Sequence, residues 1–442
     1  MLIPALWNGY PIIYFDTEDY VNMSFDGNVV VWRTMPYATF LILARPFGTL
    51  FAAVVAQSLI VTWFLHEFVA AFIRRRQQSI FVGIALLIAA LTGLPWVTSQ
   101  ILADVFAGLP ALGLAVLAFG ERLSAPRRAL LGPLIAIAIA THMSHVAVAS
   151  GLLLCLVLLW ACARRWQGVP RPSLVLVASA VVGGVILVPI IHKIATGEAF
   201  FSRAGRVLQL ALLVQDGLAQ RYLNLVCPEQ PQLVLCPYAD QLPRTADAFL
   251  WAPWESPIGK IGDWSALKPD ADIIVPNAVM TFPMDAAKAA AMNTIQQLAS
   301  VSLGDGLVSM GKDTFSPFRA LYKWYPKDVQ VFEQARQQVG GLDLAGLDGI
   351  QRPIALFFQA ILPFLCVIAW RRRDRNGAGM AFIMCLALLG NAFVCGALSN
   401  PHDRYQNRIV WIAVLTCLVL PVRWFQLKTP PSEIAAARQE AV

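Results

Sequence analysis

The feature that most restricts how this chain can fold is the position of its charges between long apolar runs. Tight basic clusters lie at alternate ends of those runs: Arg74-Arg75-Arg76, Arg122 with Arg127-Arg128, Arg164-Arg165, and Arg371-Arg372-Arg373 with Arg375. Lys and Arg beside short loops stay cytoplasmic, so the alternation predicts a topology and a sidedness together. Nine runs have the length of a membrane crossing at 1.5 Å per residue: 48–73, 79–97, 103–120, 127–141, 146–163, 173–193, 353–370, 377–398 and 408–425. The reading is an all-α polytopic membrane protein of about nine complete spans with a long extracytoplasmic loop. Its parts are a transmembrane module at 1–193 that includes the first outer loop, an outer loop region at 194–352, C-terminal transmembrane helices at 353–427, and a cytoplasmic tail at 428–442.

Composition agrees. The chain has 442 residues, of which 57% are hydrophobic and 14% charged, too apolar for a soluble protein of this length. The net charge of +7 belongs to the inner loops and tail, while the outer loop is nearly balanced. No basic blocks interleave with exposed aromatics as a nucleic-acid surface would need. A multi-pass protein of a bacterial inner membrane, with its active face outside, is the expected localisation. Met1–Trp7 is apolar but too short to span, and it lacks the charged start of a signal peptide. It reads as the outer end of a helix whose beginning is missing.

The eight cysteines sort by depth. Six lie in apolar spans, where Cys behaves as a small hydrophobe. Cys227 and Cys236 lie in the outer loop beside Pro228 and Pro237, and in an oxidising compartment they would close a short disulfide loop. Two buried free thiols are the alternative. Within the same loop, residues 203–223 carry apolar positions at helical spacing, which predicts one helix lying on the membrane or the bundle. An alanine-rich helix is predicted over 284–303, started by Pro283 and Asp285 and ended by Gly304. The Pro-, Trp- and Asp-rich stretch 237–283 reads as an irregular loop packed by Trp251, Trp254 and Trp264.

The unusual polar residues gather at the outer ends. Asp16, Glu18 and Asp19 sit in the first outer loop after Tyr14-Phe15. A solvated acidic loop is the plain interpretation, but a carboxylate at the membrane surface can act as general base on a lipid-borne substrate. Asp104 opens a returning span, as a dipole-favoured acid or as a catalytic one. His142 and His145 lie three apart at the outer end of two spans, a weak half of a metal site or a hydrogen-bonding pair. His66-Glu67 lies towards an inner end and reads as interfacial packing. In His402-Asp403-Arg404-Tyr405, Arg404 and Arg408 would share a helix face able to clamp an anion such as phosphate. An interfacial anchor is the alternative for Arg404.

Together these motifs resemble the GT-C superfamily of membrane glycosyltransferases. Asp16-Thr17-Glu18-Asp19-Tyr20 is similar to that family's first-loop Asp near a tyrosine. Ala103-Asp104-Val105-Phe106-Ala107-Gly108 is similar to its helix opening with an acid and small residues, and Arg404-Tyr405 to an Arg-Tyr pair opening a late span. The opening also looks like that of bacterial integral membrane proteins with no assigned activity. The resemblance implies Asp16 and Asp104 as catalytic residues, with Asp16 activating the acceptor. Arg404, Tyr405 and Arg408 would bind the phosphate of a polyprenyl-phosphate-sugar donor, and Glu18, Asp19, His142, His145 and His402 would be secondary. Partners would be that donor, a glycan, lipid or protein acceptor, and membrane lipids. Single displacement with inversion needs no metal, although Asp16, Asp104 and the two histidines could hold a divalent one. The alternatives are a lipid-linked glycan polymerase or ligase, in which Arg404 and His402 outweigh Asp16, and a non-catalytic membrane assembly subunit. Transport is disfavoured because mid-membrane charges are few and Gly183-Gly184 is the one clear break.

Overall fold

The computed structural model describes residues 1–252, 254–312 and 316–428; most of the expected tail at 428–442 lies outside them. Helix accounts for 74% of the chain, with no strand among the described residues. The first part folds as α1 (Ile3–Asn8), α2 (Phe15–Asp26), α3 (Met35–Leu41), α4 (Phe51–Phe72), α5 (Gln77–Leu91), α6 (Leu94–Thr98), α7 (Leu109–Phe119), α8 (Ala125–Ala140), α9 (Met143–Arg165) and α10 (Leu174–Thr196). Residues 197–344 add α11 (Gly205–Gln215), α12 (Leu218–Val226), α13 (Ala246–Trp251), α14 (Pro257–Ile261), α15 (Trp264–Thr281), α16 (Pro283–Ala299), α17 (Pro317–Trp324) and α18 (Pro326–Glu333). The chain then returns through α19 (Ala345–Arg371), α20 (Arg375–Leu398) and α21 (Asp403–Lys428).

Six of these helices are long and apolar enough to cross a membrane: α4, α9, α10, α19, α20 and α21. The molecule is thus a multi-pass membrane protein. Helices also stand at the other three expected positions, but α5, α7 and α8 have only 15, 11 and 16 residues. Local sequence shortens two of them. Thr92-Gly93 ends α5, and a 3-10 turn at Ala103–Phe106 takes the start of the expected third span. Gly183-Gly184 is not a break, because α10 runs through it and Gly184 is where α10 closes on Ile139.

The basic ends of the bundle are tied by one buried ionic clasp. Arg423 of α21 grips Asp374 in a bidentate pair, at 2.9 Å from Nε to Oδ2 and 2.9 Å from Nη2 to Oδ1. It also donates to the carbonyl of Phe72 at 3.1 Å and pairs with Glu121. Glu121 in turn holds Arg74 at 3.1 Å and accepts from Asn376. Asp374 is also the N-cap of α20, accepting from the amide of Gly377. The ends of α4, α7, α20 and α21 therefore meet at one point.

At the opposite end, α11 to α15 form a helical cap with its own core, in which Val207, Leu210, Tyr222, Phe249, Leu267 and Ile274 are buried. Three expectations are corrected here. Residues 203–223 form two helices, because Gly217 adopts φ 73° and turns the chain between α11 and α12. The stretch 237–283 is not irregular: Asp263 caps an 18-residue helix, α15, that carries Pro269 and Pro276 within it. Trp251, Trp264 and Trp32 pack together in edge-on and tilted contacts, with centroids 5.0 to 6.2 Å apart, whereas Trp254 is exposed. The alanine-rich helix starts at Pro283 as expected but ends at Ala299, short of Gly304. Cys227 and Cys236 are joined by a disulfide inside the cap.

Removing one partner of a buried ion pair strands the other. Arg423→Ala should therefore lower stability by about 3–5 kcal/mol, read as thermal unfolding of the purified protein in detergent. An exposed substitution such as Arg203→Ala should stay within about 1 kcal/mol on the same scale.

Candidate functional site

The acidic motif near the N-terminus is positioned by backbone pairing. The amide of Ile12 donates to the carbonyl of Ser99 at 2.9 Å, and the amide of Ile101 to the carbonyl of Ile12 at 3.1 Å. Buried Gln337 clamps Ile13 from the other side, accepting from its amide and donating to its carbonyl. Asp16, Glu18 and Asp19 then lie not in a loop but in α2, the first two in its first turn and Asp19 just after it. Tyr14 N–H donates to Thr17 Oγ1 there, and the Thr17 hydroxyl donates to the carbonyl of Ile101. That last bond ties α2 to the segment leading into Asp104. Asp104 itself sits in the first turn of the 3-10 helix Ala103–Phe106 that leads into α7.

Helix α21 brings the basic partners. Arg404 and Arg408 lie one turn apart on one face, and Asp104 faces both. Its Oδ1 receives Arg408 Nη1 at 2.5 Å, and its Oδ2 lies 3.9 Å from Arg404 Nε. Arg404 Nη2 reaches Asp16 Oδ2 at 3.2 Å, and Arg33 pairs with the other oxygen of Asp16. Asp104 and Asp16, distant in sequence, are thus bridged by a single arginine. Arg408 is 1% exposed and donates further to Ser144 Oγ at 2.9 Å and Asn391 Oδ1 at 3.3 Å. The Tyr405 ring lies 5.1 Å from the Arg404 guanidinium and 5.0 Å from that of Arg408, a cation–π sandwich that fixes both planes.

These groups face a cavity of about 470 Å³ between the bundle and the cap. Asp16, Arg33, His142, His402, Arg404, Tyr405 and Arg408 line it, as do Trp32 and Trp251 from the cap side. Met143 and Ala147 of α9 and Val394 and Leu398 of α20 supply an apolar wall. Asp104 stands behind the two arginines. Glu18 pairs instead with Arg319 at 2.8 Å, and Asp19 accepts from Trp32 Nε1 at 2.8 Å. Neither lines the cavity.

The histidines divide. His142 is the N-cap of α9: its Nδ1 accepts from the amide of Ser144. Burial, with Arg408 nearby, draws it down to about 3, so it is neutral. His145 turns inward, with Nδ1 at Thr141 Oγ1 and the carbonyl of Ala138. Their rings lie 5.4 Å apart, yet each is engaged locally, and both aspartates face guanidinium groups. No group of three or more His, Cys, Asp or Glu among the described residues is placed to hold a metal ion. His402 is different. It lies 3.2 Å from Asp247 of α13 and 3.4 Å from Asp305, and Gln297 holds its backbone from both sides. Burial opposes its charge, but the two carboxylates hold its pKa up to about 10. Asp16 is also shifted. Burial would raise it, but Arg33 and Arg404 together hold its carboxyl below the usual range.

Arg33, Asp247 and Asp305 escaped the sequence reading. Arg33 had a signal, as the one Lys or Arg before Arg45 in a stretch with four nearby acids. Asp247 and Asp305 had none, since nothing local separates them from other loop acids. No protein-family model, no curated protein and no solved structure matches the chain.

His402 gives a pH test. Its folded pKa is raised, so its stabilising contribution is complete below the unfolded value near 6.5 and is lost as pH rises through about 10. His402→Gln should lower the melting temperature most at pH 6, and the gap to wild type should close towards pH 10 in a series of thermal melts.

Proposed function

We propose that this protein is an integral membrane glycosyltransferase, similar to the GT-C superfamily, that moves a sugar from a polyprenyl-phosphate donor to an acceptor with inversion. On this reading the chain crosses a bacterial inner membrane nine times and its cavity opens on the outer face. The observation that carries the proposal is the make-up of the cavity. Three guanidinium groups (Arg33, Arg404 and Arg408) and the Asp16 carboxylate share a single space with an apolar wall contributed by two spanning helices, α9 and α20. A substrate with an anionic head and a hydrocarbon tail uses both surfaces. Trp32, Tyr20 and Trp251 on the same lining provide flat apolar faces for a sugar ring.

The chemistry follows from the ion pairs. At rest, Asp16 is held by both Arg33 and Arg404 and is a weak base. A donor phosphate competes for Arg404, leaving Asp16 with Arg33 alone and raising its basicity as the acceptor arrives. The acceptor oxygen bonds to the anomeric carbon while the bond from that carbon to the phosphate oxygen breaks. The electron pair leaves on the phosphate, where Arg404 stabilises the growing charge, and the acceptor proton passes to Asp16. Arg408 adds a second guanidinium to the same wall, and Asp104 acts from behind, bonding to Arg408 and facing Arg404.

His402, charged on the same lining, favours one neighbouring reading, a lipid-linked glycan polymerase or ligase. There, His402→Gln would cost more activity than Asp16→Asn.

Asp16→Asn should reduce sugar transfer by about two to four orders of magnitude with the fold intact, and Asp19→Asn far less. Arg404→Lys keeps the charge but loses the planar fork, so it should retain part of the activity that Arg404→Ala loses. Binding of a polyprenyl phosphate to the purified protein is the direct measurement. Equal binding by wild type and Arg404→Ala would remove the donor site and with it this proposal.

A further inference from the structure

Beside the main cavity lies a second recess of about 370 Å³, lined by Ser202, Arg203, Gly205, Arg206, Gln209 and Lys268. Ser202, Gly205 and Gln209 also line the main cavity, so the two spaces adjoin across the first turn of α11. The recess has three cations and no carboxylate in its lining. Arg203 pairs with Glu198 at 2.8 Å and Lys268 with Asp272 at 2.5 Å, and in both pairs the side chains are substantially exposed. Arg206 bonds to the neutral Gln209 at 3.0 Å, and no ion pair among the described residues engages it. Exposed pairs of this kind contribute about 0–1 kcal/mol, so Arg203 and Lys268 can turn to a stronger anion at little cost. Arg203 is also held at the rim, its guanidinium 4.2 Å from the centroid of Phe200.

We infer that this recess is an anion subsite that takes a phosphate or carboxylate group carried by the acceptor. The inference rests on the enzymatic reading above, because that reading gives the donor phosphate to Arg404 on the bundle wall. The cations of the recess stand on the cap wall, Arg203 just before α11, Arg206 on it and Lys268 on α15. A second anion is needed to use them, and the partner still to be placed is the acceptor. The subsite would hold the acceptor by its charged group while a hydroxyl reaches towards Asp16. The acceptor class is therefore an anionic glycan or glycolipid, not a neutral one.

The test uses the full-length protein in phosphatidylcholine nanodiscs, with inorganic pyrophosphate as the probe and equilibrium binding as the readout. The double variant Arg206→Gln/Lys268→Gln should bind about tenfold more weakly or worse, the scale of two lost charge-assisted contacts. Arg206→Lys should stay close to wild type, and Arg404→Ala should keep the recess component. Equal affinity in wild type and the double variant would overturn the subsite. Repeating the titration with phosphatidylglycerol in the nanodisc separates the sources. Unchanged pyrophosphate binding supports a group on the acceptor, whereas competition by the lipid assigns the recess to a membrane headgroup and overturns the acceptor assignment. Pyrophosphate binding that depends on Arg206 and Lys268, in a protein that does not bind polyprenyl phosphate, would leave the anion site standing and remove the enzymatic reading.

Discussion

Everything at the cap end depends on how the Arg404 and Arg408 charges are kept in a poorly hydrated space. A guanidinium taken out of water costs several kcal/mol unless carboxylates and further acceptors replace its hydration. Asp104 meets both arginines, Asp16 meets Arg404, and Ser144 and Asn391 complete Arg408. These partners come from α2, the turn before α7, α9 and α20, so the network holds only when all four are in place. Satisfying one buried and one half-buried charge thus imposes the geometry that closes one side of the cavity.

The two ends of the bundle use the same physics for different purposes. At the basic end, Arg423, Asp374, Glu121 and Arg74 form a clasp away from the cavity, and its groups satisfy one another within the protein. At the cap end, comparable pairs border an open space and can exchange partners. Arg404 is shared between two aspartates and lies against an aromatic ring, so an incoming anion can claim it without leaving either carboxylate bare. The cap contributes through Asp247, which His402 joins to Asp305 across the cavity rim.

Much of the helical architecture was legible in the chain. Apolar runs of membrane length, closed by arginine clusters, placed a helix at each of nine positions, and six are long enough to cross. The region between α10 and α19 was less legible, because its helices are short and built around features that ordinarily signal irregular chain. Pro269 and Pro276 sit inside α15, and Gly217 divides what periodicity alone joined. Asp16, Asp104, Arg404 and Arg408 could be singled out as polar residues at span ends, but a span end is also where a charge rests harmlessly at the interface. Only neighbours distant in sequence separate the two cases.

By itself, then, the sequence determined a membrane-embedded helical chain, the grouping of its basic ends, and a short set of polar residues at the other ends. Periodicity and charge placement act locally, within a span and its flanks, and they can be read without knowing the packing. Tertiary structure decided which of those residues meet. It set Arg404 between Asp16 and Asp104, recruited Arg33, Asp247 and Asp305, turned Glu18 away to Arg319, and gave the cavity one charged and one apolar wall. Those outcomes depend on long-range pairing of buried charges, whose energies arise only when distant segments have already displaced the water between them.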